Sequence, residues 1–145
     1  MEFYIERLKI FSLELIAALN KLLKQLNKTA ILLNDKDVKD MISSSANCLF
    51  VARRSDNNEI IGMATLIVYR IPVWKKGWVE DVVVDKKYRN KGIASKLINF
   101  AIEIAKANGI SSLNLTSRSE RESANRLYVK LGFKKRDTNV YRIEF

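Results

Sequence analysis

Residues 82–109 form the stretch that most restricts how this chain can fold. Val82-Val83-Val84 is followed by the basic turn Arg89-Asn90-Lys91-Gly92-Ile93-Ala94 and then by a run with apolar residues at helical spacing, which ends at Gly109. The pattern predicts a buried strand that passes through a short turn into an amphipathic helix. Such a turn leaves backbone N–H groups unpaired at the positive end of the helix, where an anion is favoured.

The turn itself permits two interpretations. It contains one glycine, so it is neither a Walker loop nor a dinucleotide-binding fingerprint. Gly92 would let a ligand approach the backbone closely, and Ala94 is small where the helix meets the sheet. A tight strand-to-helix connection with solvated lysines explains these residues, taken alone, equally well.

The composition limits the partners and the chemistry. The 145 residues suit a single domain, residues 1–145, and the net charge of +10 favours anionic partners without identifying one. The chain has no histidine and one cysteine, so it offers no zinc site of the ordinary type and we expect no metal. Catalysis must therefore use carboxylates, tyrosine or backbone groups.

The lone cysteine, Cys48, excludes an intrachain disulfide and points to a reducing compartment. No charged-then-apolar leader follows Met1, and the apolar run 63–69 is too short to cross a bilayer. We therefore expect a cytoplasmic protein that does not insert into a membrane.

The hydrophobic periodicity predicts ten elements in the order β-α-α-β-β-β-α-β-α-β. The predicted strands are 1–10, 48–53, 60–70, 78–84, 112–116 and 133–145, and the predicted helices are 13–26, 34–45, 93–108 and 120–131, with a basic loop at 74–77. A right-handed crossover makes the strands 78–84 and 112–116 parallel. The order predicts an α/β fold: a mixed, mostly antiparallel central sheet with this one parallel pair and helices on both faces.

A second motif lies on the last predicted helix, where Arg121-Glu122-Ser123-Ala124-Asn125-Arg126-Leu127-Tyr128 precedes Gly132-Phe133. Together with the basic turn, it resembles the GNAT superfamily of N-acetyltransferases. In that family a turn of the form R/Q-x-x-G-x-G/A holds the pyrophosphate of acetyl-CoA, and a later helix often reads N-x-x-A-x-x-L-Y-x-x-x-G-F. The predicted order of elements is also similar to that of the family.

The resemblance implies roles for the residues that match these motifs. The backbone of Val82, Val83 and Val84 would pair with the pantetheine arm of acetyl-CoA, and an N–H near Val82 would polarise the thioester carbonyl. The pyrophosphate would be bound by Asn90, Lys91, Gly92, Ile93, Ala94 and Ser95. Tyr128 would protonate the departing thiolate, although a core aromatic residue is the other interpretation.

One position departs from the family pattern, because Arg121 occupies the place of the asparagine. Asn125 lies one helical turn further on the same face as Arg121, so it would contact the cofactor while Arg121 reaches a phosphate. The resemblance also implies a cofactor contact for Ala124, which matches the alanine of the family motif. The basic residues Lys86, Lys87, Arg89 and Lys91 would meet the 3′-phosphate of CoA or face water.

The attacking amine needs a base, since an amine of pKa about 10.4 is almost fully protonated at pH 7. Without histidine, the candidates are Glu80 and Asp81 in the otherwise apolar central strand. Alternation predicts Glu80 on the face of Val82 and Val84, and Asp81 on the other. We favour Glu80, acting through water; an ion pair with a neighbouring Arg or Lys is the alternative.

The sequence does not identify the acceptor amine. One group of residues would either border the acceptor site or serve no direct role in it: Trp74, Lys75, Lys76 and Trp78. In the second case the tryptophans are packing residues and the lysines are solvated. Two other functions remain: a non-catalytic acyl-CoA-binding or regulatory module, and a basic nucleic-acid-binding protein, which ranks last because the aromatic residues are not interleaved with the basic ones. The family often dimerises, so the resemblance also allows a homodimer.

Overall fold

The computed structural model describes all residues, 1–145, and contains one five-stranded sheet. Its strands are β1 (Phe3–Arg7), β2 (Asn47–Arg54), β3 (Ile60–Arg70), β4 (Lys75–Val84) and β5 (Ser112–Asn114), and its helices are α1 (Leu13–Leu26), α2 (Asp35–Ser43), α3 (Ile93–Ala107) and α4 (Glu122–Lys130). The strands lie in sequence order, antiparallel except for the parallel pair β4–β5. This arrangement confirms the predicted α/β fold class.

Apolar residues cover both faces of the sheet. On one face α1 and α2 bury Leu19, Leu22 and Val38 against β2, β3 and β4. On the other face α3 buries Leu97 and Ile98 in a second cluster. Each fully buried leucine or isoleucine side chain stabilises the fold by roughly 1.5–3 kcal/mol, so these two clusters hold the helices to the sheet.

Two predicted elements are wrong. Residues 133–145 form no strand, because the β-type residues Tyr141, Ile143 and Phe145 are exposed and meet no neighbouring strand within the chain, and strand propensity depends on such a partner. The predicted basic loop 74–77 largely belongs to β4, since Lys75 pairs with Arg70 and Lys76 pairs with both Tyr69 and Ser112.

A β-bulge interrupts β4 at Asp81. Glu80 lies opposite Thr65 but Val83 lies opposite Met63, so β4 has one residue more than β3 here, and Asp81 has a φ of 51°. Val79 and Val82 therefore both pack on the α3 face although they are three residues apart. The prediction that Glu80 shares a face with Val82 and Val84 is wrong, because the extra residue reverses the alternation.

Candidate active site

The parallel strands β4 and β5 separate and open a cleft. Their pairing ends where Trp78 meets Asn114, whereas β4 continues six residues further, to Val84. Beyond that point the edge of β4 that faces β5 has no strand partner, and Val82 to Val84 lie on it. Unpaired strand edges bind extended groups through the backbone, so this edge can hold an extended arm of a ligand.

The turn that follows β4 presents a series of unpaired donors. None of the backbone N–H groups from Asn90 to Ser95 donates a hydrogen bond within the chain, and the first bond of α3 joins the Lys96 N–H to the Gly92 carbonyl. Asn90 and Gly92 have φ values of 62° and 78°, in the left-handed region. Successive N–H groups in such a turn, at the start of a helix, form a concave anion site. We call residues 90–95 the anion turn.

The sequence did not reveal what holds this turn in place. Asp85 is 1% exposed, and its N–H donates to the Ile61 carbonyl while its Oδ1 accepts from the Lys87 N–H. Lys21 Nζ of α1 lies 2.9 Å from Asp85 Oδ2. Burial opposes ionisation of Asp85, but these contacts outweigh it and lower the pKa of the carboxyl. The only hint of this anchor in the sequence was the acidic Asp85 directly before the basic residues Lys86 and Lys87.

A second polar group extends this anchor. The Tyr88 hydroxyl donates to Glu59 Oε2 at 2.7 Å and accepts from Arg54 Nη1 at 3.1 Å. Lys21 Nζ also lies 3.5 Å from Glu59 Oε1. Helix α1, the connection between β2 and β3, and the turn after β4 are therefore joined by one network of charges and hydrogen bonds.

Tyr128 is half-buried beside the α3 cluster, and its ring meets that of Phe133 edge-on at 6.0 Å. Its hydroxyl makes no hydrogen bond within the chain. Burial raises the pKa of this phenol, although the charge of Arg121 opposes the shift. The hydroxyl is thus protonated at neutral pH and free to donate.

The neighbouring residues of α4 have different surroundings. Asn125 Nδ2 donates to the carbonyls of Arg118 and Ser119 at 3.0 and 3.4 Å, so its amide nitrogen fixes the loop before α4 and only its oxygen is free. Arg121 sits at the N-terminus of α4, exposed and without an ion-pair partner, and Ala124 is half-buried one turn later.

The two carboxylates of β4 occupy different environments. Glu80 is half-buried and has no cation within ion-pairing distance, so the alternative interpretation, a salt bridge, does not hold. Burial, followed by the charge of Asp81, raises the pKa of Glu80. Asp81 is exposed at the bulge. The raised pKa makes Glu80 a stronger proton acceptor than an ordinary exposed carboxylate.

The basic and aromatic residues flanking the site are mostly solvent-exposed. Arg89 Nε donates to the Val84 carbonyl at 3.2 Å, whereas Lys86, Lys87 and Lys91 are exposed and form no ion pair. Trp74 is 52% exposed. Trp78 is half-buried, and its indole N–H donates to the Tyr69 hydroxyl at 3.0 Å.

No group of three His, Cys, Asp or Glu side chains is arranged to hold a metal ion. None of the helices combines the length and apolar character needed to cross a bilayer.

Comparison with known proteins identifies the family. Human N-acetyltransferase 8B is 26% identical over 141 residues, which cover 92% of this chain and 61% of that protein. Human N-acetyltransferase 8 is 27% identical over 99 residues, 67% of this chain and 43% of that protein. The chain therefore spans between about two fifths and three fifths of the length of these relatives.

The fold has close structural counterparts. An acetyltransferase from Trypanosoma brucei superposes with a TM-score of 0.82 over 99% of this chain and 100% of that one, at 23% identity, which shows a shared fold. The model of the Acetyltransferase (GNAT) family matches residues 16–133, a range that includes the separated strands, the anion turn and Tyr128. The chain belongs to the GNAT family of acetyltransferases.

Proposed function

We propose that this chain is a single N-acetyltransferase domain, residues 1–145, that moves the acetyl group of acetyl-CoA directly to a primary amine. The observation that carries the proposal is the run of unpaired N–H groups from Asn90 to Ser95, which follows the unpaired edge of β4 after residues 85–89. A long arm ending in a pyrophosphate matches both features. The buried, free Cys48 is consistent with work in a reducing compartment such as the cytoplasm.

The cofactor lies along β4 in this proposal. The backbone of Val82 to Val84 pairs with the pantetheine arm, and an N–H near Val82 stabilises the negative charge that develops on the thioester oxygen. The N–H groups of the turn bind the pyrophosphate, and Arg89 and Arg121 supply positive charge nearby. The position of Asn125 leaves its oxygen as the only side-chain group it can offer to the cofactor.

The reaction removes two protons from the acceptor, because the amine is protonated at neutral pH and the product amide keeps only one hydrogen on its nitrogen. Glu80 removes the first through a water molecule, after which the amine nitrogen attacks the thioester carbonyl carbon. As the C–N bond forms and the C–S bond breaks, the Tyr128 hydroxyl gives its proton to the thiolate of CoA. The second amine proton then returns to the Tyr128 oxygen. Asp81, exposed at the bulge, is the second candidate for the base.

The test combines cofactor binding with turnover. We expect acetyl-CoA to bind in calorimetry and at least one primary amine to release free CoA thiol, with the acetylated amine identified by mass spectrometry. Tyr128→Phe should lower kcat by about a hundredfold, because the thiolate loses its acid, with little change in the KM for acetyl-CoA. Val129→Ala, at the exposed neighbouring position on α4, is the matched control.

Two other outcomes would replace the proposal. Binding of acetyl-CoA without thiol release in any acceptor screen would indicate a non-catalytic acyl-CoA-binding or regulatory module. Steeply salt-dependent binding to nucleic acid, without affinity for acetyl-CoA, would indicate a basic nucleic-acid-binding protein.

A further inference from the structure

The sheet face that carries Glu80 continues as a polar surface toward the start of β4 and β5. Gly77 and Val79 pack toward the α3 cluster, so Lys76, Trp78 and Glu80 lie on the opposite face. Register pairs share a face, and β5 pairs Ser112 with Lys76 and Asn114 with Trp78. Apart from the Trp78 ring, one face of the parallel pair therefore carries polar side chains from its beginning up to Glu80.

An open cavity of about 320 Å³ lies at the start of this surface, lined by Trp74, Lys76, Ser111, Ser112, Asn114 and Arg136. Two of these side chains are cations and none is an acid. Neither Lys76 nor Arg136 forms an ion pair within the chain. The two unpaired cations line the same cavity as hydroxyl and amide groups. Such a lining favours a negatively charged group of a ligand.

The hydrogen bonds of the lining residues leave donors for such a group. The Ser111 hydroxyl donates to the Lys75 carbonyl at 2.9 Å, and Asn114 Nδ2 contacts the Gly77 carbonyl weakly at 3.5 Å. The Ser112 hydroxyl, the Lys76 ammonium and the Arg136 guanidinium have no acceptor within the chain. Three donors are thus available beside the exposed indole of Trp74.

The distance between the cavity and Glu80 determines how long an acceptor molecule must be to reach both. Lys76 and Glu80 are four residues apart on β4, and a strand rises about 3.3 Å per residue, so the two side chains start about 13 Å apart. A single molecule that spans this distance can place an anionic group among the cations and an amine beside the carboxylate.

We propose that the cavity binds a carboxylate or phosphate group of the acceptor, so that the preferred acceptor is an amine that carries a negative charge about 10–13 Å from its nitrogen. The inference rests on the proposed acetyl transfer and specifies its substrate class. Polycationic amines are poor acceptors, because their distant charges face Lys76 and Arg136.

The test compares matched acceptors that differ only in the distant group. One pair is a short peptide with a free N-terminal amine and either glutamate or glutamine at the third residue; the other is a linear amino alcohol and its phosphate ester of the same length. We expect at least tenfold higher kcat/KM for the anionic member of one pair, and the pair that responds identifies the source of the charge. Equal values within both pairs would overturn the subsite.

Substitutions of the lining cations test whether the preference for anionic acceptors arises in this cavity. Lys76→Met and Arg136→Met should each raise the KM for the anionic acceptor about tenfold and leave the neutral acceptor and the KM for acetyl-CoA unchanged. Lys135→Met, an exposed neighbour outside the cavity, removes the same charge and should change neither value. Lys76→Glu should reverse the preference between anionic and cationic acceptors. If Lys135→Met acted like Lys76→Met, general charge and not the cavity would be responsible.

A binding measurement separates this inference from the proposed function. Inorganic phosphate titrated into the acetyl-CoA-saturated protein should shift the indole N–H signal of Trp74 in the NMR spectrum, and Lys76→Met should abolish the shift. If phosphate binds in this way but no amine is acetylated, the proposed function fails and the anion site remains. If amines are acetylated but phosphate leaves the Trp74 signal unmoved, the site fails and the function remains.

Discussion

At the scale of single residues, the position of Glu80 makes its ionisation unfavourable. Burial and the adjacent charge of Asp81 raise the pKa of Glu80 above the value in the unfolded chain. Glu80 therefore contributes most to stability below its pKa in the unfolded chain, where it is protonated in both states. That contribution is lost as the pH rises through its pKa in the folded protein. At neutral pH, Glu80→Gln should raise the midpoint of thermal unfolding while it lowers kcat by about a hundredfold or more. Asp81→Asn should move the acid limb of the pH–rate profile to lower pH. Unchanged turnover of Glu80→Gln across pH would show that Glu80 is not the base.

At Gly92, the effect of backbone conformation on stability can be measured separately from the effect on ligand binding. A Cβ at Gly92 would meet nothing within 4 Å, so Gly92→Ala costs stability only through its φ of 78°, by about 1 kcal/mol. Gly109, beyond the other end of α3, has a φ of 64° and equally open surroundings, which makes Gly109→Ala a matched control. Both variants should unfold at similar urea concentrations, but Gly92→Ala alone should weaken acetyl-CoA binding in calorimetry. Equal affinity in the two variants would place the pyrophosphate elsewhere.

At the scale of elements, α1 is coupled to the anion turn through the ion pair of Lys21 with Asp85. Lys21→Met leaves the buried carboxylate of Asp85 without its cation and should lower the free energy of unfolding by about 1–2 kcal/mol. The loss stays this small because Lys21 is half exposed, so water screens part of its interaction with Asp85. The pKa of Asp85 is lowered in the fold, so its stabilising contribution is present above the unfolded pKa and lost as the pH falls through the folded pKa. Chemical unfolding of Lys21→Met and of the exposed control Lys24→Met measures the cost, and the loss should shrink in the Asp85→Asn background. Additive losses would mean that the pair does not couple.

The elements also show which parts of the fold the sequence could predict. The helices followed from apolar spacing, and Asn34 caps α2 with a reciprocal bond to Asp37, as its residue type suggests. The anion turn could be predicted from local order, since a strand, a glycine and a helix follow one another within residues 82–109. The bulge at Asp81 did not, because it depends on the register between β3 and β4, and it reversed the face of Glu80. Trp74 and Lys76 were candidates for the acceptor site from the sequence, but the contribution of Arg136 to the same cavity was not predicted, since Arg136 lies far from both in the chain.

At the scale of the whole molecule, the net charge of +10 should assist the binding of an anionic cofactor more than the chemical step. Screening shortens the range of these charges from about 10 Å at 0.1 M salt to about 3 Å at 1 M. The KM for acetyl-CoA should therefore rise about tenfold or more over this range while kcat changes little. S-acetylpantetheine, which lacks the phosphates, is the matched substrate: it engages the edge of β4 but not the turn, so its KM should stay nearly constant. Steady-state kinetics with both thioesters measure the difference, and an equal salt response of the two would mean that the positive charge acts on the acceptor and not on the phosphates.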